Sequence, residues 1–589
     1  MNFFKTFLAA LLAVVVGTGF AMMLGIMTLA GMAAMIGSKT PAVVPHGAVL
    51  RLDLGQVSDS PQRSPLDAFD FMSLDVPRHT PLLKVIRSID AAAEDPRIEG
   101  LYLNFGEGTS APLASLEELR ARIVKFKESG KFVVAYQENW GQVGYWFASV
   151  ADSVYTNPAG SFEWTGLSLD VMFYKGLLDK LGVEPVVVRH GSFKSAIEPY
   201  ILDRMSPENR LQYERLAGSI WGMVVGDVAA ARGVDSLRLI EWADNLEIHS
   251  TGAALERGLV DGVVYEDQVM ARMKELTGGE KDPTVVSLAD YMSQTADANI
   301  ASKNKIALIY AEGEIVSGSD DVGSVTMVDK IRRAREDKDV KAVVLRVNSP
   351  GGSALAAEVM WRELELLRAE KPLIVSMGAT AASGGYYIAA PADAIYADRS
   401  TLTGSIGVFG LFFNAGDALR TKLGVTTDVV TTNRHSDIGS PFRSPRPAEL
   451  AYLQKSVEDV YATFVGHVAE GRNMIPEAVD KIGQGRVWTG VDALGIGLID
   501  GHGGLVEALS LAADRVGVAD DFRVWEVTDE LSPFEALLGG LSAKVRASVL
   551  RDGVLRDELG AAFRHYEQLR GIFSEPGVQA RLPYVIEMR

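Results

Sequence analysis

A serine set between an apolar run and paired glycines has the surroundings a nucleophile needs. In Val375-Ser376-Met377-Gly378-Ala379-Thr380-Ala381-Ala382-Ser383-Gly384-Gly385-Tyr386-Tyr387 the pattern predicts the end of a buried strand, a tight turn of small residues and a helix start, with Ser383 at the corner. Gly384 and Gly385 would let a substrate carbonyl approach the first free amides of that helix. Upstream, the apolar run Val343–Val347 ends in Asn348-Ser349-Pro350-Gly351-Gly352, where the amide of Gly351 or Gly352 offers a second donor to an oxyanion. The chemistry this suits is acyl transfer through a tetrahedral intermediate. Either loop alone is an ordinary glycine-rich connection of an α/β protein; two together point to a site.

A serine hydroxyl is a poor nucleophile at neutral pH and needs a base within hydrogen-bond reach. Lys194 is the candidate: it follows Val186-Val187-Val188-Arg189-His190-Gly191-Ser192-Phe193 and precedes Ala196-Ile197, apolar neighbours that would lower an amine pKa by burial. Read blandly, it is a surface lysine at a strand end. His190 and His435 are rival bases, but each follows an arginine at a corresponding place in two related halves of the chain, so a shared structural position accounts for both. No histidine pair stands at metal-ligand spacing, and the Gly404, Gly407, Gly410 series lacks the pattern of a dinucleotide loop. No metal and no cofactor are expected.

Four motifs in this order, Gly191-Ser192-Phe193-Lys194-Ser195-Ala196, Asn348-Ser349-Pro350-Gly351-Gly352, Ala381-Ala382-Ser383-Gly384-Gly385-Tyr386 and Leu402-Thr403-Gly404-Ser405-Ile406-Gly407, resemble the signal peptide peptidase A family in its long bacterial form. That family lies in the serine-protease branch of the Clp/crotonase-like superfamily, and the likeness spans roughly residues 47 to 515. The resemblance implies a Ser383–Lys194 dyad, with Ser405 orienting the amine; a turn serine satisfying local backbone is the plainer account of Ser405. It also implies remnant signal peptides as substrates, specificity pockets for small or apolar side chains, and a bowl-shaped homotetramer with its active sites inside.

The elements that must position these groups come from a duplication. Gly144-Tyr145-Trp146, Ala151-Asp152 and Val154-Tyr155 match Gly385-Tyr386-Tyr387, Ala392-Asp393 and Ile395-Tyr396, and Gly258-Leu259-Val260-Asp261-Gly262 returns as Gly497-Leu498-Ile499-Asp500-Gly501. Short apolar strands alternate with helical patterns such as Ser115–Lys127 and Ala354–Arg368, which predicts two tandem Clp/crotonase-like α/β repeats. The expected division is an anchor at 1–40, a first repeat at 41–277 that supplies the lysine, a linker at 278–303, a second repeat at 304–515 that supplies the serine, and a helical tail at 516–589. An insert near Arg63–Thr80 occurs only in the first repeat. At the place of Ser383 the first repeat has Gln142, and its loop is Gly106-Glu107-Gly108; the second repeat has no lysine in Thr431–Gly439. Each copy lacks what the other keeps.

The chain has 589 residues, too many for one core, and a net charge of -18, which argues against a nucleic-acid partner. It has no cysteine, so thiol nucleophiles, disulfides and thiolate metal sites are excluded. From Thr6 to Ser38 there is no charge, and about 33 helical residues exceed the hydrocarbon thickness of a bilayer. An uncleaved transmembrane helix is therefore expected, with the body on the periplasmic side of a bacterial inner membrane. The function expected is a membrane-anchored serine endopeptidase acting on hydrophobic peptides. A crotonase-like acyl-thioester enzyme and a catalytically silent membrane scaffold are the alternatives.

Overall fold

Short β-branched runs separated by amphipathic stretches favour parallel strands joined by helical crossovers. The computed structural model describes residues 44–54, 57–59, 80–105, 111–279, 281–292, 301–320, 322–528 and 578–581. The anchor expected at 1–40, the insert up to residue 79, the Gly106-Glu107-Gly108 loop and most of the C-terminal tail lie outside the described residues. No helix among the described residues is long and apolar enough to cross a membrane.

The duplication appears as two sheets of the same topology. The first runs Gly262–Val263, Ser153–Thr156, Phe132–Gln137, Ile98–Leu103, Ala48–Leu52, Val285–Ser287, with every neighbouring pair parallel. The second repeats that order as Gly501–His502, Ala394–Ala397, Leu373–Ala382, Val340–Ser349, Lys305–Glu312, Arg523–Glu526, again parallel throughout. Two closing strands fall outside the expected repeat boundaries: Val285–Ser287 lies in the stretch read as linker, and Arg523–Glu526 lies beyond residue 515. Runs of three or four residues are too short for periodicity to declare a strand.

Helices pack against both sheets. In Ala354–Arg368 the residues Ala356, Ala357, Met360, Leu364 and Leu367 are buried at the spacing of a single helical face, and the Ser353 hydroxyl caps the start by accepting from the Ala356 amide. The second sheet carries an addition where the first, among the described residues, has only a single parallel bridge between Trp140 and Phe162. Leu402–Gly404 pairs with the last residues of Leu373–Ala382, and Val487–Thr489 pairs antiparallel with it in turn. This places the Thr403-Gly404-Ser405 turn beside Ser383.

The repeats are joined in two ways. Strand Glu184–His190 pairs antiparallel with Val408–Asn414 of the second repeat, His190 opposite Val408 and Glu184 opposite Asn414. With Gly351–Ser353 and the tail strand Val578–Arg581 they form a four-stranded sheet in the order Gly351–Ser353, Val578–Arg581, Val408–Asn414, Glu184–His190. The tail was expected to be helical, and over these four residues it is strand instead: two sheet edges offer their backbone groups to it, a tertiary effect that local pattern does not carry.

Beneath the site the contact is ionic. Arg346 Nη2 donates to Asp59 Oδ1 at 2.9 Å and to Glu118 Oε1 at 2.6 Å, while Nη1 donates to the Ser376 hydroxyl at 2.7 Å and to the Met377 carbonyl at 3.2 Å. The three charged side chains are 0%, 1% and 2% exposed. Burial alone would push the guanidinium pKa down, but the two carboxylates raise it and keep it charged. Arg346 lies on the strand that leads to Ser349, and Ser376 on the strand that leads to Ser383, so one side chain ties both loop-bearing strands to the first repeat. Removing it leaves two carboxylates buried without a counter-charge. Arg346→Ala is expected to lose about 3–5 kcal/mol of unfolding free energy, measured by denaturant titration at neutral pH. A loss below about 1 kcal/mol would mean that water enters and solvates the acids.

Candidate active site

Strand Leu373–Ala382 delivers Ser383 to the corner before helix Gly384–Ala389, as the small-residue run predicts. Its backbone sits at φ 56° and ψ -115°, a conformation that a residue with a side chain adopts only under constraint. The constraints are specific: the Ser383 amide donates to the Gly404 carbonyl at 2.8 Å, and its carbonyl accepts from Tyr387 at 2.9 Å. Gly385 is required by proximity, because a methyl there would lie 2.6 Å from the Ser349 carbonyl oxygen. The two glycine-rich loops therefore touch.

Lys194 reaches the same point from the other repeat. Its side chain is fully buried, and Nζ lies 2.8 Å from Ser383 Oγ, 3.0 Å from Ser405 Oγ and 3.2 Å from the Ser405 carbonyl oxygen. These partners include no carboxylate. Burial drives the Lys194 pKa well below the usual lysine value of 10.5. A neutral amine has two hydrogens and one lone pair. The Ser405 carbonyl can only accept, so it takes one N–H; the Ser405 hydroxyl takes the other, and the lone pair is left for the Ser383 O–H.

Lys194 is held by residues that motif reading passed over. The Gly483-Gln484-Gly485-Arg486 turn of the second repeat closes on it: the Phe193 amide donates to the Gln484 carbonyl at 2.9 Å, and a methyl at Gly485 would lie 2.5 Å from the Lys194 Cβ. The same turn fixes Ser405, whose amide donates to the Arg486 carbonyl at 2.7 Å. Phe409 supplies an aromatic wall, its ring centroid 6.0 Å from Nζ. The paired glycines of the turn were a visible signal, but nothing in the sequence ties residue 485 to residue 194.

The oxyanion candidates lie nearby in different states. Gly384 opens the helix after Ser383, where amides have no intrahelical partner. Gly351 donates to the Ser349 hydroxyl at 3.2 Å, and Gly352 stands at φ 154° against Ile315, where a methyl would lie 2.0 Å from the Ile315 carbonyl oxygen. The rival bases are engaged elsewhere. The His190 ring stacks on Tyr461 with centroids 3.9 Å apart, and His435 Nδ1 is 2.9 Å from Glu449 Oε1.

In the first repeat the place of Ser383 is filled. The Gln142 side chain accepts from the Thr165 and Gly166 amides at 2.8 Å each and donates to the Gly166 carbonyl at 2.9 Å. Its amide thus satisfies backbone groups and presents no nucleophile. The second repeat in turn has exposed, strandless chain over Val425–Ser436, and no lysine in it.

A buried serine–amine pair built from two copies of one α/β unit defines a class. Residues 125–279 and 365–519 each match the model of peptidase family S49, and the chain belongs to that family. It is 36% identical over 526 residues to Protease 4 of Haemophilus influenzae, covering 85% of each chain. It is 36% identical over 480 residues to Protease 4 of Salmonella typhi, covering 79% of this chain and 77% of that one. With the chloroplastic serine protease SPPA of Arabidopsis thaliana the identity is 34% over 508 residues, covering 83% and 72%. The protein is a serine protease, and the thioester and scaffold alternatives are set aside.

The depressed amine pKa has two measurable consequences. If the neutral amine is the active form, kcat/KM should rise with pH along a single limb whose midpoint lies below 10.5, and fall as the amine gains its proton. Stability follows with a worked sign: between the folded and unfolded lysine pKa values the unfolded chain binds more protons, so unfolding free energy rises with pH there. Relative to Lys194→Met, which lacks the titrating group, the native protein should therefore gain stability from pH 7 toward pH 10. A flat difference across that range would place the proton on the amine in the folded state.

Proposed function

We propose that this serine protease is a membrane-anchored endopeptidase working through a Ser383–Lys194 dyad. The single observation that carries the reading is the 2.8 Å approach of Nζ to Oγ, fully buried and contributed by opposite repeats. The neutral Lys194 amine takes the Ser383 proton as Oγ attacks the peptide carbonyl, and Ser405 holds the amine in line by accepting its two N–H bonds. Amides of Gly384 and of Gly351 or Gly352 receive the oxyanion; Gly351 does so by exchanging its long bond to Ser349. The ammonium then protonates the leaving nitrogen. In deacylation the same amine activates water, which attacks the ester carbonyl, and the proton returns to Oγ.

In this reading the fold is of the Clp/crotonase-like type, with an anchor at 1–40, a lysine-bearing repeat at 41–277, a linker at 278–303, a serine-bearing repeat at 304–515 and a tail at 516–589. The uncharged run from Thr6 to Ser38 supports a single span of the bacterial inner membrane with the body in the periplasm. The substrates are hydrophobic peptides, remnant signal peptides in particular, and the assembly is a homotetramer. The motif resemblance supports these assignments.

The test is digestion of a synthetic signal peptide by the native protein and by Ser383→Ala and Lys194→Ala. Each variant should lose at least roughly a thousandfold in kcat/KM while keeping its circular dichroism spectrum. A serine-reactive fluorophosphonate should label the native protein at Ser383. Turnover by folded Lys194→Ala near the native rate would remove the amine from the mechanism.

A further inference from the structure

The oxyanion candidates stand at the starts of two helices, and those helices are tied together one turn further in. Gly384 opens helix Gly384–Ala389, and strand Gly351–Ser353 runs directly into helix Ala354–Arg368. Tyr387 of the first helix donates its hydroxyl to Glu358 Oε2 of the second. His467, on the long helix Pro447–Gly471, brings Nε2 to 3.0 Å from the same oxygen. The Tyr387 ring lies against Phe464 of that helix with centroids 4.5 Å apart and meets the His467 ring edge-on at 5.4 Å. Tyr387 is buried, while the Glu358 side chain is 39% exposed. Burial and the Glu358 carboxylate both push the tyrosine pKa above its ordinary value, so the phenol keeps its proton and donates.

The repeat without the serine is built differently at the same place. Helix Leu113–Lys127 corresponds to Ala354–Arg368, which sets Glu117 at the place of Glu358 and Trp146 at the place of Tyr387. In the long helices, Gly226-Asp227-Val228-Ala229 corresponds to Gly466-His467-Val468-Ala469, so Asp227 stands where His467 does. An indole has one N–H, and that of Trp146 goes to Asp227 Oδ2 at 2.9 Å. Glu117 accepts instead from Arg399 and from the Ser400 hydroxyl, both of the second repeat. The direct bond between the helix after the donor loop and the helix after the corner residue therefore belongs to the repeat that carries Ser383.

Amides that stabilise an oxyanion must converge on one point, and an error of about 1 Å costs on the order of a hundredfold in rate. The close approach of Gly385 to the Ser349 carbonyl joins the two helices at their ends, and the Tyr387–Glu358 bond joins them again one turn away. Two points of contact fix a relative orientation where one would leave a pivot. We infer that Glu358 is a positioning residue: it holds Tyr387 so that the amides of Gly384 and of the Gly351-Gly352 loop aim at one oxyanion. This rests on the reading of Ser383 as the nucleophile. His467, bonded to the same carboxylate oxygen, keeps that oxygen turned toward Tyr387. A peptide in its ground state carries no oxyanion, so the bond acts on the transition state and leaves peptide binding alone.

The test uses the full chain carrying Tyr387→Phe, Glu358→Ala or Glu358→Gln. Phenylalanine keeps the ring packed on Phe464 and removes only the donor, so Tyr387→Phe decides the question even where alanine at 358 unfolds the protein. On a short chromogenic peptide, Tyr387→Phe and Glu358→Ala should each lower kcat roughly tenfold and leave KM within about twofold. Combining them should lose no more than either alone, because both remove the same bond. Glu358→Gln still offers the phenol an oxygen and should keep kcat within about threefold of native. A peptide boronate, which forms a tetrahedral adduct with a nucleophilic serine, should bind Tyr387→Phe and Glu358→Ala roughly tenfold more weakly than native. Affinity for uncleaved fluorescent peptide, measured in a Ser383→Ala background, should not change. Native kcat in Tyr387→Phe, or an equal loss of peptide and boronate affinity, would overturn the inference, and an inactive Ser383→Ala would leave the catalytic reading standing. Turnover persisting in Ser383→Ala would remove that reading and the inference with it.

Discussion

Burying the Lys194 amine among hydroxyls and a carbonyl, without a carboxylate, sets the terms for everything around it. An ammonium moved into such a place loses its hydration with no counter-ion in return, so burial lowers the Lys194 pKa and favours the neutral amine. An acid beside it would instead have favoured the charged form. At the contact between the repeats, Asp59 and Glu118 are bound to Arg346, and Glu117 and Asp227 to Arg399. The inter-repeat contact thus separates into an ionic layer under the strands and an uncharged layer at their ends where the amine sits.

Duplication makes that layering possible. The second α/β unit places Ser383 at the corner after strand Leu373–Ala382, and Lys194 reaches that corner from the first. Strand Glu184–His190 crosses to pair with Val408–Asn414, and the Gly191 turn, at φ 105°, then sends Lys194 inward under the Gly485 turn. The first repeat gives up its own corner to Gln142, which satisfies the Thr165 and Gly166 backbone. What remains there is a structural hydrogen-bond hub.

Local grammar made part of this legible. The small-residue turn around Ser383 and the two apolar strands before the donor loops are contiguous stretches, and the internal repeat supplied what one motif could not, a comparison between two copies at corresponding places. Lys194 stood out because its counterpart was missing from the second copy. The Arg346 cluster joins residues 59, 118 and 346 and leaves no spacing to read. The same is true of the Gly485 clamp on Lys194 and of strand Val578–Arg581, which takes its conformation from two edges more than a hundred residues away in sequence. Val285–Ser287 and Arg523–Glu526 were hidden for a different reason: runs of three and four residues, Val-Val-Ser and Arg-Val-Trp-Glu, carry too little pattern to separate a closing strand from a linker.

The two serines that meet the amine share a backbone feature that ties strain to chemistry. Ser383 and Ser405 both stand at positive φ, 56° and 51°, where a residue with a Cβ costs of order 1 kcal/mol or more. Neither position could relax without swinging its hydroxyl away from Nζ. Each is held by a backbone hydrogen bond to a neighbouring turn, Ser383 to Gly404 and Ser405 to Arg486, so the turns that flank Lys194 also fix its two partners. The strain is local while the restraint is distributed, and that arrangement holds Lys194 Nζ and Ser383 Oγ within hydrogen-bond distance.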